Sequence, residues 1–526
     1  MHSFLTGIKD SNGNRATIAY NGEGRIASVT DAAGRMIAFG YGDNGRVATV
    51  TDFSNRVWSY GYDADDNLTS VTDPAGHAIA YQYDSAHNLT GIVDALGQTL
   101  STVTYDEQDK VTQFTDNGGA YDVSYDPVSQ LTSKTNPASG LFQFSYDDNG
   151  NITNKTAPGG KSLQLTWDIN VDMTSKTNGR NVQTDYTYDA QHKVTSIIRD
   201  ATGLNLQTQY AYDEITGQVS QVTDPLGHST SSTYDANGNL LTRTDALGAV
   251  TTYTYDSHGN PIRITDADGY ITAREYDSNG YLTREYIPDT DPLIETSFTY
   301  DTRGNLLSRT DPMGYVTQYQ YNDLDQLVQV TDSVNEITQF AYDANGNMVQ
   351  QTDPRGVVTQ FGYDAYDRVI SKTEAVGTAV ERTTSYTYDD RGNLLTMTDP
   401  SDRTTTYSYN ELSQTTSVSD PQGQSWSFDY DESGNLLSKT DPNGHTTTYT
   451  YDALNRLTGL TDAEGHSTSY SYDGNGRLLS ITDANSNPAT TNSYDAAGRL
   501  TSSVDALGHA TTTTYTPAGR VATVTD

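Results

Sequence analysis

The sequence predicts an all-β fold of tandem antiparallel β-hairpin repeats, and three observations carry that prediction. An aromatic residue, nearly always Tyr and usually followed by Asp, recurs from Tyr20 to Tyr515; its 24 positions define 23 intervals, of which 16 are 21 residues long. A second pair, usually Thr-Asp, sits half a period away, as at Thr51-Asp52, Thr72-Asp73, Thr244-Asp245 and Thr440-Asp441. Between the pairs lie short runs of strand-favouring residues, bounded by Asp-Pro-x-Gly or Asn-Gly sequences. A fixed period of this length marks units that are stabilised by stacking on their neighbours. Residues 1–526 are therefore expected to form a single array of about 24 units, with no separate domain.

The elements of one unit can be justified in order on Asn435 to Asp452. The run Leu436-Leu437-Ser438-Lys439-Thr440 is strand-length and ends at Asp441-Pro442-Asn443-Gly444. There Pro has its φ already near the turn value and Gly sits where the chain reverses. The next run alternates, with Thr447, Tyr449 and Tyr451 on one face and Thr446, Thr448 and Thr450 on the other. Period-two alternation in Thr and Tyr is the pattern of a half-exposed strand. The following turn, as in Asp343-Ala344-Asn345-Gly346-Asn347, offers residues that tolerate positive φ. Leu436 and Leu437 would face opposite sides, so either both faces are partly covered or a bulge re-aims one side chain. No segment holds a helical period.

Composition limits what such an array does. Only 34% of residues are hydrophobic and mean hydropathy is −0.65, which suits a single-layer sheet better than a thick core. In 16 of the 24 units another Tyr or Phe precedes the repeat aromatic by two residues, as at Tyr60, Tyr81, Phe144, Tyr319, Phe340 and Tyr449. An aromatic stripe stacked along the sheet is the expectation. Net charge is −37, but over half of the acids sit at the two turn-entry positions, where Asp accepts backbone N–H bonds. The charge still disfavours nucleic acid and anionic membranes. With no Cys there is no disulfide framework, thiol catalysis or Cys-based zinc site. No apolar run reaches membrane-spanning length, and Met1 to Asp10 lacks the regions of a secretory signal. The chain ends at Thr525-Asp526, midway through a unit, which suggests a segment of something longer or an end completed by a neighbour.

Motifs that resemble sites are better explained by the repeat. Gly40-Tyr41-Gly42-Asp43-Asn44-Gly45 matches a dinucleotide fingerprint by letter, yet lies at a hairpin turn with no following helix. Asp235-Ala236-Asn237-Gly238-Asn239 resembles a calcium loop, but its Gly is fourth rather than sixth. His77, His228, His445, His466 and His509 all follow a turn Gly, and neighbours such as His445 and His466 should stand roughly 10 Å apart, too far to share zinc. No nucleophile elbow, His-Glu-x-x-His, P-loop or Cys nucleophile is present. No catalytic residue, cofactor site or metal site is therefore assigned. The repeat positions are expected to be structural: Tyr62-Asp63, Tyr83-Asp84, Tyr255-Asp256, Tyr342-Asp343, Tyr451-Asp452 and Tyr472-Asp473. Three units are lengthened, at Asp200–Gln207, Ile287–Glu295 and Glu374–Arg382, all on the same side of the ribbon. Insertions on one face of a solenoid often bind partners, which makes Asp200, Leu204, Asp289, Asp291, Val376 and Glu381 the candidate binding-edge residues.

The pattern Tyr-x-Tyr-Asp-x-x-Gly-Asn/Arg-Leu, seen at Tyr300-Asp301 with Gly304-Asn305-Leu306 and at Tyr472-Asp473 with Gly476-Arg477-Leu478, resembles the YD repeats of RHS-repeat proteins. The resemblance covers essentially the whole chain. It implies a continuous spiralling β-ribbon, closed as a hollow shell or tube. In bacterial RHS toxins, the cocoon of insecticidal toxin complexes, wall-associated proteins and teneurins, such shells are scaffolds, and in the toxins they enclose a C-terminal effector. This chain departs from that plan, since its Asp-Pro-x-Gly copies, such as Asp73-Pro74-Ala75-Gly76 and Asp311-Pro312-Met313-Gly314, continue with His or Tyr where the shell-closing signature has Leu. Some 48 strands at roughly 4.8 Å spacing make a ribbon on the order of 230 Å long, enough for part of a shell wall.

The expected function is a non-enzymatic scaffold, part of a shell that encapsulates or presents a toxin or effector. The expected partners are that cargo or adjoining segments of a longer chain, and the location secreted or cell-surface. Two alternatives stand beside it. One is an extracellular adhesin or carbohydrate-binding module, with the Tyr stripe stacking on glycans. The other is a fibre that self-associates through open strand edges.

Overall fold

In a computed structural model, which describes residues 4–288 and 290–526, the chain is all-β. Among the described residues it has 49 strands, from Gly7–Lys9 to Val521–Thr525, and one helical element, a 3-10 turn at Pro158–Gly160. Strands of five and six residues alternate, as in Leu436–Thr440 and Thr446–Tyr451, two per repeat. Neighbours in sequence pair antiparallel: Thr440 faces Thr446, and Tyr449 faces Leu460 in the next strand.

The chain divides into two compact units. The first comprises Met1–Tyr121, Thr254–Ile264 and Ile271–Thr404; the second comprises Asp122–Tyr253, Thr265–Tyr270 and Thr405–Asp526. Neither has an apolar core. Among the described residues Ala273 is the only buried hydrophobic side chain, whereas Asp94, Asn136, Ser196 and Asp200 are buried polar ones. Stability must come from backbone ladders, half-buried faces and polar stitching rather than from a packed interior.

The Leu-Leu ambiguity is resolved by a bulge. Tyr430 pairs with Leu436 and Asp429 with Ser438, so Leu437 is the extra residue. Leu436 keeps its place opposite the tyrosine, and Leu437 is left 39% exposed. The same shift recurs at Tyr342, paired with Met348 while Ala341 pairs with Gln350. An extra residue strengthens local twist and bends the strand, and here it recurs in most repeats, with Tyr125 pairing with Thr132 without one.

The aromatic stripe takes a different form from stacked rings. Among the described residues, ring stacking joins pairs such as Phe114–Tyr121 and Tyr281–Tyr300, but most repeat tyrosines face aliphatic partners across the ladder. Their phenols link the units instead. Tyr342 donates to the Leu327 carbonyl at 2.8 Å, Tyr363 to Met348 at 2.8 Å, Tyr472 to Leu457 at 2.8 Å and Tyr62 to Val47 at 3.0 Å. Each acceptor belongs to the peptide that opens the bulge one repeat earlier. Where Trp167 replaces tyrosine, its indole N–H makes the same bond to Ile152 at 2.8 Å.

Candidate functional site: the turn edges

Both edges of the ribbon are rows of Asp-led turns. At Asp343, the backbone N–H donates to the Asn347 carbonyl and the carbonyl accepts from Gly346. Carboxylate Oδ1 takes the N–H groups of Asn345 and Asn347 at 3.0 and 2.9 Å. Asp63, Asp84, Asp256, Asp452 and Asp473 repeat this arrangement. Oδ2 is then free for a side chain. The Asn67 amide, with the Asn67 backbone N–H, holds the Asp63 carboxyl below its ordinary range. Burial pushes the Asp473 carboxyl up, but the backbone and guanidinium of Arg477 more than offset that and lower it. Burial raises the phenols of Tyr83, Tyr342, Tyr451 and Tyr472.

Arginine at the turn exit ties one repeat to the next. Arg477 Nε contacts Asp473, its Nη1 donates to the Asp495 carbonyl at 3.1 Å, and its guanidinium lies 4.8 Å over the Tyr494 ring. Arg456 and Arg499 do the same toward Tyr472 and Tyr515. The five turn-exit histidines occupy the equivalent place on the other edge: in His77, His228, His445, His466 and His509, Nδ1 lies 3.0–3.2 Å from the carboxylate of its own turn. Asp462, Glu464 and His466 converge within 4.8 Å of one another on an exposed turn.

Inside each unit, segments far apart in sequence meet edge to edge. The Thr-Asp turns of the earlier segment face the Tyr-Asp turns of the later one. In the first unit, Arg35 donates to the Tyr281 hydroxyl at 2.6 Å, Arg56 pairs with Asp325 at 2.6 Å, and Asn345 donates to Asp94 at 2.6 Å. In the second unit, Asn136 donates to the Glu411 carbonyl at 2.9 Å and Asn475 to Asp224 at 2.5 Å. Asp268 accepts from Thr516, Ala518 and Arg520. Burial raises the Asp224 carboxyl, but Asn475 and His228 outweigh it and the net shift is downward. Between the Asp224 and Asp268 contacts, where Ala496 and Ala497 cannot bridge, lies an open cavity of about 520 Å³ lined in part by His228, Arg243, Asp245 and Arg499.

This seam escaped the sequence reading, which singled out the lengthened loops. Asp200 is only 6% exposed and its carboxylate accepts the Leu204 N–H at 2.8 Å; Leu204 itself is 48% exposed. Glu381 closes its own loop by accepting the Gly377 N–H at 2.7 Å, and the Val376 N–H is held by the Val358 carbonyl. Asp291 is exposed, and Asp289 lies outside the described residues. Asp200 and Leu204 belong to the second unit and the others to the first, where no hydrogen bond or ion pair among the described residues joins the Asp291 loop to the Glu381 loop. A signal for the seam did exist. The third residue of docked Tyr-Asp turns is apolar at Leu324, Tyr366, Leu412 and Leu454, and polar at Asp65, Gln108, Asn149 and Gln191 in exposed turns. The signal is partial, since exposed turns also carry Val128 and Ile215 and docked ones Asn345 and Asn475.

The model of the RHS Repeat family matches twelve overlapping or separate segments, among them residues 20–57, 83–121, 125–162, 300–336, 388–425 and 494–526, which together span well over half of the chain. A Teneurin YD-shell model matches residues 171–315. Among solved structures, the chain is similar to a TcdB2-TccC3-Cdc42 structure, with 14% identity, TM-score 0.66, and coverage of 97% of this chain and 39% of that one. It is also similar to the Tc holotoxin pore of Photorhabdus luminescens, with 16% identity, TM-score 0.65, and coverage of 99% and 36%. The chain thus spans less than two fifths of the length of those structures. Compared with curated proteins, the sequence finds no match.

Proposed function

The chain belongs to the RHS-repeat family, and on that premise we propose that it is a non-enzymatic structural scaffold, one continuous array over residues 1–526 that supplies part of a shell wall. The observation that carries this reading is the seam within each unit. A single-layer ribbon is widened by turn-to-turn docking of segments such as Asp94 with Asn345, 251 residues apart, without an apolar core. Construction of that kind encloses space with little material. The likeness in fold to Tc toxin structures supports the same reading.

In this proposal the repeat residues Tyr62, Asp63, Tyr342, Asp343, Tyr472, Asp473 and their equivalents hold repeat to repeat, and bind nothing. Asp200 and Glu381 shape their loops, while Leu204 and Asp291 are the edge-loop residues left to meet a partner. The partner is an enclosed or presented effector, or adjoining segments of a longer chain. The site of action is outside the cell or on its surface; among the described residues no helix is long and apolar enough to cross a membrane.

Electron microscopy of the purified chain tests this. The expected images show thin curved walls or hollow particles, with walls about 10 Å thick. Solid particles without an internal space would overturn the proposal. Saturable glycan binding that is lost on substitution of strand tyrosines, with no wall-like particles, would replace it with the adhesin.

A further inference from the structure

We propose that the exposed Thr-Asp turns at Asp311–Tyr315 and Asp332–Glu336 are an unfilled docking site for the Tyr-Asp turn edge of a second copy of this chain, with Asn237 as its donor. This does not rest on the scaffold reading. It rests on what a docked turn looks like and on two turns that have the same features with nothing on them.

Two docked turns give the template. In Asp94-Ala95-Leu96-Gly97 and Asp224-Pro225-Leu226-Gly227, Oδ1 caps the turn and Oδ2 receives an Asn amide from the third residue of a Tyr-Asp turn, Asn345 or Asn475. The apolar third residue of the Thr-Asp turn covers the incoming backbone. The position a Cβ on Gly474 would take lies 3.1 Å from Leu226 Cδ2. A docked turn therefore needs an apolar tip and an Oδ2 within reach of the amide, and an in-turn histidine does not prevent docking, since His228 also contacts Asp224 Oδ2.

Most of the corresponding turns in later repeats lack one feature or both. Oδ2 is paired within the turn to Arg355 on Asp353 and to Arg403 on Asp399, and the third residues Arg355, Ser401, Asn443 and Glu464 are polar. The Asp505 turn keeps an apolar tip, Leu507, with His509 on its Oδ2 as His228 is on Asp224. The turns at Asp311 and Asp332 differ. Oδ1 caps each turn through Met313 and Tyr315, or through Val334 and Glu336, and Oδ2 has no partner among the described residues. The tips are apolar and exposed: Met313 is 77%, Val334 69% and Tyr315 52% exposed. Covering such side chains would recover burial free energy that they forfeit in water.

The chain also carries the matching donor. Asp235-Ala236-Asn237-Gly238-Asn239 is identical in sequence to Asp343-Ala344-Asn345-Gly346-Asn347, the turn that docks on Asp94. Asn237 is exposed, and its amide has no partner among the described residues. Donor and acceptor are different segments of the chain, so the contact is heterologous, each copy offering a donor to the next.

The test is sedimentation velocity over a concentration series, at physiological ionic strength so that repulsion between chains of −37 charge is screened. The wild-type chain is expected to show mass that grows with concentration. Met313→Glu/Val334→Glu removes the acceptor, and Asn237→Asp opposes a carboxylate to Asp311 or Asp332. Each variant alone should be monomeric, with association at least tenfold weaker, and Asn237→Ser gives a second donor variant. An equimolar mixture of the acceptor-defective and donor-defective chains retains one good pair of surfaces and should form a 1:1 dimer and nothing larger. A wild-type chain that stays monomeric, variants that associate as well as wild type, or a mixture that remains monomeric would each overturn the proposal. Persistent association of both variants would point to strand-end pairing instead.

Discussion

The repeat tyrosine does two things with one side chain: its ring covers the half-buried face, and its hydroxyl bonds the carbonyl that opens the bulge one repeat back. The lengthened units show how strictly the second role is kept. Tyr212 and Tyr388 follow insertions, yet still reach Val194 and Val369, at 2.6 and 2.8 Å. Tyr342→Phe should keep the ring and lose one hydrogen bond, costing about 1 kcal/mol. Tyr342→Ala should cost roughly 2–3 kcal/mol, less than the 3–5 typical of a fully buried aromatic because this ring is half-exposed. Hydrogen exchange should show the loss between residues 321 and 363, because coupling runs to nearest neighbours; unchanged protection there would refute the linking role. The turn carboxylates make a pH prediction with a definite sign. The carboxyls of Asp63, Asp147 and Asp235 are lowered first by their Asn67, Asn151 and Asn239 amides. A lowered folded value means stability that is present above the unfolded value of about 3.9 and is lost as pH falls through the folded one. His192 runs the other way. Its hydrogen bond to Asp172 raises it, so its contribution is full below about pH 6.5 and vanishes as pH rises through the folded value. Thermal melts should therefore change little through neutrality and fall below about pH 4, while His192→Gln should lose stability only on the acidic side of its titration.

At the scale of the hairpin, turn conformation is set by one left-handed residue, usually Gly. Gly444 has φ +86, and a Cβ there would meet nothing within 4 Å. Gly444→Ala thus isolates backbone strain from crowding, and should cost about 1–2 kcal/mol. Asn55 adopts φ 65 in the equivalent position, so Asn55→Gly should change stability by only a few tenths of a kcal/mol. Equilibrium unfolding of the two variants checks the contrast; equal costs would show that the turn is not conformationally limited. Strands and turns were legible because each is written locally: the Thr447, Tyr449, Tyr451 alternation gives the strand, and Asp441-Pro442-Asn443-Gly444 gives the reversal. Leu436-Leu437 announced an irregularity without saying which one, since a bulge is a property of two strands in register. The phenol bond was less legible still. Tyr342 and Leu327 are 15 residues apart, and only the three-dimensional step from one hairpin to the next brings them together.

At the scale of the whole molecule, the repeat array is more than one-dimensional. A solenoid in which each unit meets only its neighbours would confine any perturbation to adjacent repeats. Here each unit of the fold adds contacts between residues some 250 positions apart. Nothing local encodes that offset, because it is a property of the array and not of any one hairpin. Arg35, Arg56 and Asn345 read in sequence as ordinary turn residues, and only the apolar third residues Leu324 and Leu454 hint that their edge is covered. Asn345→Leu tests the seam directly. Asp94 is 5% exposed and would lose the amide 2.6 Å from Oδ2, leaving a buried carboxylate oxygen unpaired. The loss should exceed that of an exposed turn bond and reach about 1–3 kcal/mol. Its location is the sharper readout. Hydrogen-exchange protection should fall around residues 321–363, near the substitution, and also around residues 73–98, across the seam. Asp94→Ala combined with Asn345→Leu should cost less than the two changes added, since the bond between them is lost only once, while the Asn345 bond to Asp367 is lost with Asn345 in either background. If protection falls only in the repeats flanking residue 345, the edges lie together without holding each other, and the array is held by its ladder alone.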